Sequence, residues 1–365
     1  MQKANLCGLR ENLLMRKITV SILALALLSL PAFAADDAVK RTSYGKPDLS
    51  GTYDAGTVTP VDRPTKFGDN LYLSSAEAKN LEETQAAFWA KAEADKGGAA
   101  DRGAPPVGGD GDNRFGGGGV GGYNIFWIDP GSDAVMVDGK FRTSIIYEPK
   151  NGRRPPMTPK GMKKLASGFA SFTHNNDGTA SWLEQDGPGP FDGPESLALA
   201  ERCILGFSGG PPMLPSLYNN YLSIVQTEDH VVILAEMVHD ARIVRIDSEH
   251  GPDGNRKWLG DSIGYWDGDT LVVETKNFRS DTGLYGGDED LHVTERFSRT
   301  QEGNLLYNFR VEDPPSWTAP WAGEYEWKAK DSKVYEYACH EGNYAMGNIL
   351  RGARLLESEY EQGGD

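Results

Sequence analysis

From Tyr221 onward the chain alternates apolar and polar residues at a period of two, and turn residues break the alternation at regular intervals. This is the pattern of half-buried strands, because successive side chains along a strand point to opposite faces. It predicts strands over Tyr221–Thr227, Val231–Met237, Ala241–Asp247, Ser262–Trp266, Thr270–Asn277, Leu291–Arg299, Asn304–Glu312, Gly323–Lys328 and Lys333–Cys339. Asp267-Gly268-Asp269 and Gln301-Glu302-Gly303-Asn304 supply the clearest turns between them. The most apolar stretch is Val231–Asp240, where Val231, Ile233, Ala235 and Met237 share one face and Val232, Leu234 and Val238 the other, as in a central strand. So many short antiparallel strands predict a mainly β fold. The expected form is an antiparallel meander closing into a barrel-like, lipocalin-like unit with a few short peripheral helices.

Helical signals are confined to the flanks. Ser74 with Glu77 three residues on is a capping box, and Leu81, Phe88 and Ala92 follow along one helical face. Thr158-Pro159 opens a short helix and Pro194 another that runs through Cys203, while Phe141–Glu148 reads as one more strand. Residues Lys96–Gly122 have no periodicity and too few apolar side chains to bury, the composition of a flexible loop. Asp110-Gly111-Asp112-Asn113 within it lacks the full spacing of a calcium loop, and no Gly-Lys-Ser/Thr follows its glycines to cradle a phosphate.

The first residues carry a different signal. Met15-Arg16-Lys17, the apolar run Ile18–Leu30 and Ala32-Phe33-Ala34 have the form of a secretory signal peptide cleaved before Ala35, with Met1–Leu14 as an upstream extension. The run is shorter than the roughly 20 residues that span a membrane. The expected organisation is a leader over residues 1–34, a strand and helix over 35–95, a Gly-rich loop over 96–122 and the main β-rich domain over 123–365. A periplasmic or secreted chain follows, with no membrane insertion after cleavage.

Composition sharpens this picture in two ways. Lys and Arg number 37 against 53 Asp and Glu, a formal net charge of −16, and cleavage would remove four basic residues and one acidic one. Such a chain has no electrostatic footprint for nucleic acid or an anionic membrane surface. Cys7 would leave with the leader, so Cys203 and Cys339 are expected to form a disulfide in an oxidising compartment.

Several segments, taken together, carry a resemblance. Pro47–Gly51 (PDLSG), Glu201–Ile204 (ERCI), Tyr218–Asn220 (YNN), Val238–Arg242 (VHDAR) and Trp258–Ser262 (WLGDS) lie in the first part. Gly268–Thr275 (GDTLVVET), Leu291–Phe297 (LHVTERF), Glu312–Trp321 (EDPPSWTAPW) and Tyr335–Tyr344 (YEYACHEGNY) complete the set. The combination resembles a large family of exported bacterial proteins usually described as hypothetical. Thr52-Tyr53 stands where that family often has Trp. The resemblance implies export and carries no activity with it.

Three groups of residues could do chemistry. In the first, Glu236, His239, Asp240, Arg242 and Arg245, a histidine beside a carboxylate suits a general base and an arginine suits an anionic group or an oxyanion. Strand alternation would send His239 and Asp240 to opposite faces unless the turn rotates one of them. The second group is His292, Thr294 and Arg296, which share one strand face. The third is His340, Glu341 and Tyr344, whose backbone a disulfide at Cys339 would hold in place. There is no H-E-x-x-H, C-x-x-C or paired His-x-His, so zinc peptidase chemistry is unsupported and no metal or cofactor is expected, which leaves only a metal assembled from the separated His239, His292 and His340 as an open alternative; serine hydrolase chemistry is also unsupported. The expected function is binding of a small apolar or aromatic molecule in one pocket ringed by His239, Asp240, Arg242, His292, Arg296, His340, Glu341 and Tyr344. The alternative is a cofactor-free periplasmic lyase, isomerase or hydrolase, with a histidine base supported by arginine, tyrosine and carboxylate.

Overall fold

The period-two alternation does produce strands, and in the computed structural model they close on themselves. Residues 39–94, 128–168, 170–173, 178–280, 284, 286–287 and 289–363 are described. The expected leader and Gly-rich loop lie outside them. The strands are β1 (Gly51–Asp54), β2 (Tyr72–Leu73), β3 (Met136–Val137), β4 (Lys140–Arg142), β5 (Ile146–Glu148), β6 (Tyr221–Gln226) and β7 (His230–Ala235). They continue with β8 (Ala241–Ile246), β9 (Asp261–Asp267), β10 (Thr270–Lys276), β11 (His292–Arg299), β12 (Leu305–Glu312) and β13 (Trp321–Lys330).

Nine strands form a closed barrel in the order β1-β6-β7-β8-β9-β10-β11-β12-β13, with β13 returning to β1 and β5 added as an extra strand on β13. An odd ring cannot alternate direction all the way round. One neighbouring pair must run parallel, and it is β8 with β9, registered Val244 to Ser262. Antiparallel neighbours need only a tight turn, whereas a parallel pair needs a long crossover, and residues 247–260 provide it. The barrel is thus a meander with one break, and the break creates a loop on its outer wall.

The strand expected within residues 35–95 forms as β1, whereas one expected strand does not form. β1 is only four residues long, yet it pairs with both β6 and β13 and closes the barrel. Lys333–Cys339 is irregular rather than a strand. It has no edge to join, because β13 is already bonded by β12 and β1, and β5 takes the rest of its length. The stretch Phe141–Glu148 is likewise split between β4 and β5, which lie in different sheets.

The interior is filled with side chains. Tyr53, Phe297, Tyr307, Phe309, Trp321, Tyr325 and Trp327 are wholly buried. The Tyr307 ring centroid lies 4.5 Å from that of Trp327 and 5.2 Å from that of Phe297. Aromatic rings bring a large apolar area to so small a space, and their hydroxyls need partners. The segment carrying Met213 supplies them: its N–H donates to the Tyr307 hydroxyl at 2.9 Å, and its carbonyl accepts from the Tyr325 hydroxyl at 3.0 Å. Burial, and then the neighbouring Glu295 carboxylate, push the Tyr307 hydroxyl well above its ordinary pKa.

Peripheral helices are α1 (Ser75–Ala94), α2 (Pro159–Gly168) and α3 (Ala345–Glu361). The capping box is present at α1, where the Ser74 N–H donates to Glu77 Oε2 at 2.8 Å and the Glu77 N–H to Ser74 Oγ at 3.3 Å. At α2 the Thr158 hydroxyl accepts from the Gly161 N–H at 3.1 Å. The expected helix from Pro194 to Cys203 is only a single short turn, Pro194–Ser196. Among the described residues no helix is long and apolar enough to cross a membrane.

Candidate functional site

The crossover forced by the parallel pair is held at one carboxylate. Asp261, buried at the start of β9, accepts from both terminal nitrogens of Arg245 at 3.0 Å, from Lys257 Nζ at 2.8 Å and from the Gly251 N–H at 2.9 Å. The Arg245 guanidinium, against the opposing effect of burial and with help from Lys257, holds this carboxyl far below the usual range. The crossover is therefore tied to the start of β9. It presents Trp258, whose ring lies 4.2 Å from the Arg279 guanidinium.

Opposite it lies the turn between β7 and β8. β7 stops at Ala235, and Met237–His239 form a short helical turn in which Val238 and His239 adopt φ of +60° and +49°. Consecutive left-handed residues are uncommon outside glycine, and a β-branched one is a genuine outlier that surrounding contacts must enforce. Here the Ala235 N–H donates to the Asp240 carbonyl at 2.8 Å and the Glu236 N–H to the Tyr221 carbonyl at 2.9 Å. The rotation has a direct consequence. His239 and Asp240 line the same cleft, where simple alternation would have separated them.

Asp240 is nearly buried, and two glycines make room for it. Its Oδ2 accepts from the Gly206 N–H at 2.7 Å, and a Cβ at Gly209 would lie 2.4 Å from that same oxygen. A Cβ at Gly206 would lie 2.8 Å from Met237 Cγ. The sequence also holds Gly206-Phe207-Ser208-Gly209-Gly210, which has the G-x-S-x-G spacing of a hydrolase nucleophile turn, so the expectation that serine hydrolase chemistry is unsupported overlooked a motif that is present. The surrounding structure does not fit that role, since no strand precedes the serine and no helix follows it. Ser208 Oγ is buried without a partner, and the glycines serve the close approach to Asp240.

The third wall is the disulfide between Cys203 and Cys339, whose Cα atoms lie 5.8 Å apart. It forms as the sequence leads one to expect. Between these walls a cleft of about 630 Å³ runs along the outer face of β8. Ile204, Leu205, Val238, Ile243, Trp258 and Leu259 line it with apolar surface, and His230, His239, Asp240, Arg245, Lys257 and Asp261 with polar groups. A larger cleft of about 810 Å³ lies among Val61, Met157, Leu214 and Trp317. Among the described residues its one charged lining residue, Arg154, is engaged by Asp62, so it offers no pair of titratable groups like His239 and Asp240.

The other expected site residues lie elsewhere. Arg242 follows strand alternation into the barrel, where it forms a two-pronged ion pair with Glu295. His292 stands half exposed on β11, 3.8 Å from Glu312, and Arg296 is paired with Asp267 at 2.7 Å. His340, Glu341 and Tyr344 lie exposed on the turn between Cys339 and α3. The eight residues thus do not ring one pocket: His239 and Asp240 line this cleft, Arg242 borders it but turns its guanidinium into the barrel, and the other five lie elsewhere. Trp258, Lys257, Asp261 and the two glycines are the participants that sequence reasoning missed. The segments ERCI, VHDAR and WLGDS do meet here, although 57 positions separate Glu201 from Trp258.

Burial pushes the Asp240 carboxyl up to about 6, only partly offset by the Gly206 N–H and by His239. The unfolded carboxyl titrates near 3.9, so between roughly pH 4 and 6 the folded chain binds the extra proton and stability falls as pH rises. Above about pH 6 the cost of the buried charge amounts to about 3 kcal/mol. Asp240→Asn keeps an acceptor for Gly206. It is expected to stabilise the chain at about pH 8 by about 2–3 kcal/mol and to flatten the acid-side slope, read by urea unfolding across that range. An unchanged slope would show that Asp240 is not the group responsible.

Comparison with protein-family models, curated proteins and solved structures finds no match to this chain.

Proposed function

We propose that the chain is an exported protein that binds a small apolar or aromatic molecule in the cleft along β8. The observation that carries this reading is the facing of an apolar wall and a polar edge. Ile243 projects from the barrel with 56% of its surface exposed, beside Trp258 and Leu259. Across from them, a strained turn aims His239 and Asp240 at the same space. Ligand sites are commonly built this way, from apolar lining with a few convergent polar groups. Export is supported by the disulfide, a bond that persists in oxidising compartments.

The alternative, a cofactor-free lyase, isomerase or hydrolase, has one observation of its own. A carboxyl raised to about 6 beside an exposed imidazole suits proton transfer near neutral pH. Binding is common to both readings and comes first. Native mass spectrometry of the chain purified from its own host is expected to reveal a retained small molecule. Trp258→Ala is expected to weaken its binding by about five- to thirtyfold, through the loss of an aromatic platform worth about 1–2 kcal/mol. A chain that carries nothing, and whose Trp258 indole resonance no aromatic probe shifts, would end the proposal.

A further inference from the structure

We propose that the cleft selects a small aromatic hydroxyl compound, a phenol, through a hydrogen bond from its hydroxyl to His239 Nε2; this rests on the binding reading above. The assignment begins with the imidazole's other nitrogen. His239 Nδ1 lies 3.3 Å from the backbone carbonyl of Tyr337. A carbonyl only accepts, so Nδ1 must carry the proton, and in the neutral ring this leaves the lone pair on Nε2.

The carbonyl is not free to drift. It also accepts the Cys339 N–H at 2.9 Å, and Cys339 is bonded to Cys203 in the cleft wall. The Tyr337 hydroxyl is engaged with that of Tyr218. On the histidine side, the left-handed backbone at Val238 and His239 sets where the ring stands. The disulfide therefore acts as a positioning element for the tautomer, through a carbonyl two residues away from Cys339.

The remaining groups narrow the class further. Asp240 adds an acceptor at the same edge, whereas the cations Lys257 and Arg245 are engaged by Asp261. An anionic head group would have to compete with the Asp261 carboxylate for both cations. A ligand that donates a hydrogen bond finds an acceptor, and its ring has Ile243, Trp258 and Leu259 to cover it.

The test uses the disulfide-intact chain with ¹⁵N-labelled histidine at about pH 8, where imidazoles are ordinarily neutral. The expected spectrum shows His239 protonated at Nδ1. p-Cresol is expected to shift its Nε2 resonance and to bind about tenfold more tightly than 4-methylanisole, which has the ring but no donor. His239→Gly suits the left-handed backbone, so the fold should tolerate it, and it is expected to reduce that preference to about twofold or less. Protonation at Nε2, or equal affinity for the two compounds, would overturn the phenol assignment while leaving the binding reading intact. If neither compound perturbs Trp258 or His239, both fall together.

Discussion

Glu295→Leu is expected to destabilise the barrel by about 3–5 kcal/mol, and adding Arg242→Met is expected to recover most of that loss. Arg242 and Glu295 are 3% and 0% exposed, so neither charge has water to fall back on. With the carboxylate gone, the guanidinium keeps only the Thr275 hydroxyl at 3.4 Å and the Met213 sulfur at 3.8 Å. Its Nε already has no partner. The Tyr307 hydroxyl would also lose the carboxylate to which it donates at 2.7 Å. Removing both charges replaces an orphaned ion with apolar volume, which is why a double change in such pairs is milder than a single one. Urea unfolding of the two single variants and the double variant closes the cycle. A Glu295→Leu cost below about 1 kcal/mol would show that the pair is not what holds this part of the core. The double variant also tests the arginine's place in function: a core role predicts that ligand binding survives, and a charge-stabilising role predicts that it is lost.

The second large effect is expected at the disulfide. Cys203 and Cys339 are 136 positions apart, and the chain-entropy account of so long a loop gives about 5 kcal/mol as the upper figure for replacing both by serine. The loop includes every barrel strand except β1. Its loss therefore releases the unfolded chain more than it disturbs any single native contact. Equilibrium unfolding of the double serine variant against the oxidised chain measures the cost, and a change under about 1 kcal/mol would contradict it. Thiol titration of the unfolded, unreduced chain from residue 35 onward is expected to find none free.

Much of the fold could be read from local pattern. The strands from Tyr221 to Lys330 follow from period-two alternation and from turns such as Asp267–Asp269, and each lies within a few residues of its expected limits. The Ser74–Glu77 capping box formed as read. Other features were hidden for definite reasons. The short strand expected within residues 35–95 does form as β1, but its part in closing the barrel comes from the two neighbours it joins, which four residues could not reveal. Lys333–Cys339 has the aromatic and β-branched residues of a strand but finds no open edge. In β8, Arg242 shares a face with Val244 and Ile243 with Arg245, so both faces mix charge with apolar surface. The sequence could not say which one points inward.

The site was legible in its residue types and not in its geometry. His239 and Asp240 stood out as chemistry-bearing neighbours, but only the left-handed turn puts them on one cleft. Alternation, capping and turn propensity act between residues a few positions apart, so the sequence by itself determined the β class and most of the strands. Strand neighbours are chosen by backbone hydrogen bonds that any residue can make. The tertiary structure alone decided the parallel pair that forces the crossover, the Glu295 that draws Arg242 inward and the Tyr337 carbonyl that meets His239. Those contacts link residues 53 and 98 positions apart, beyond the reach of any local periodicity.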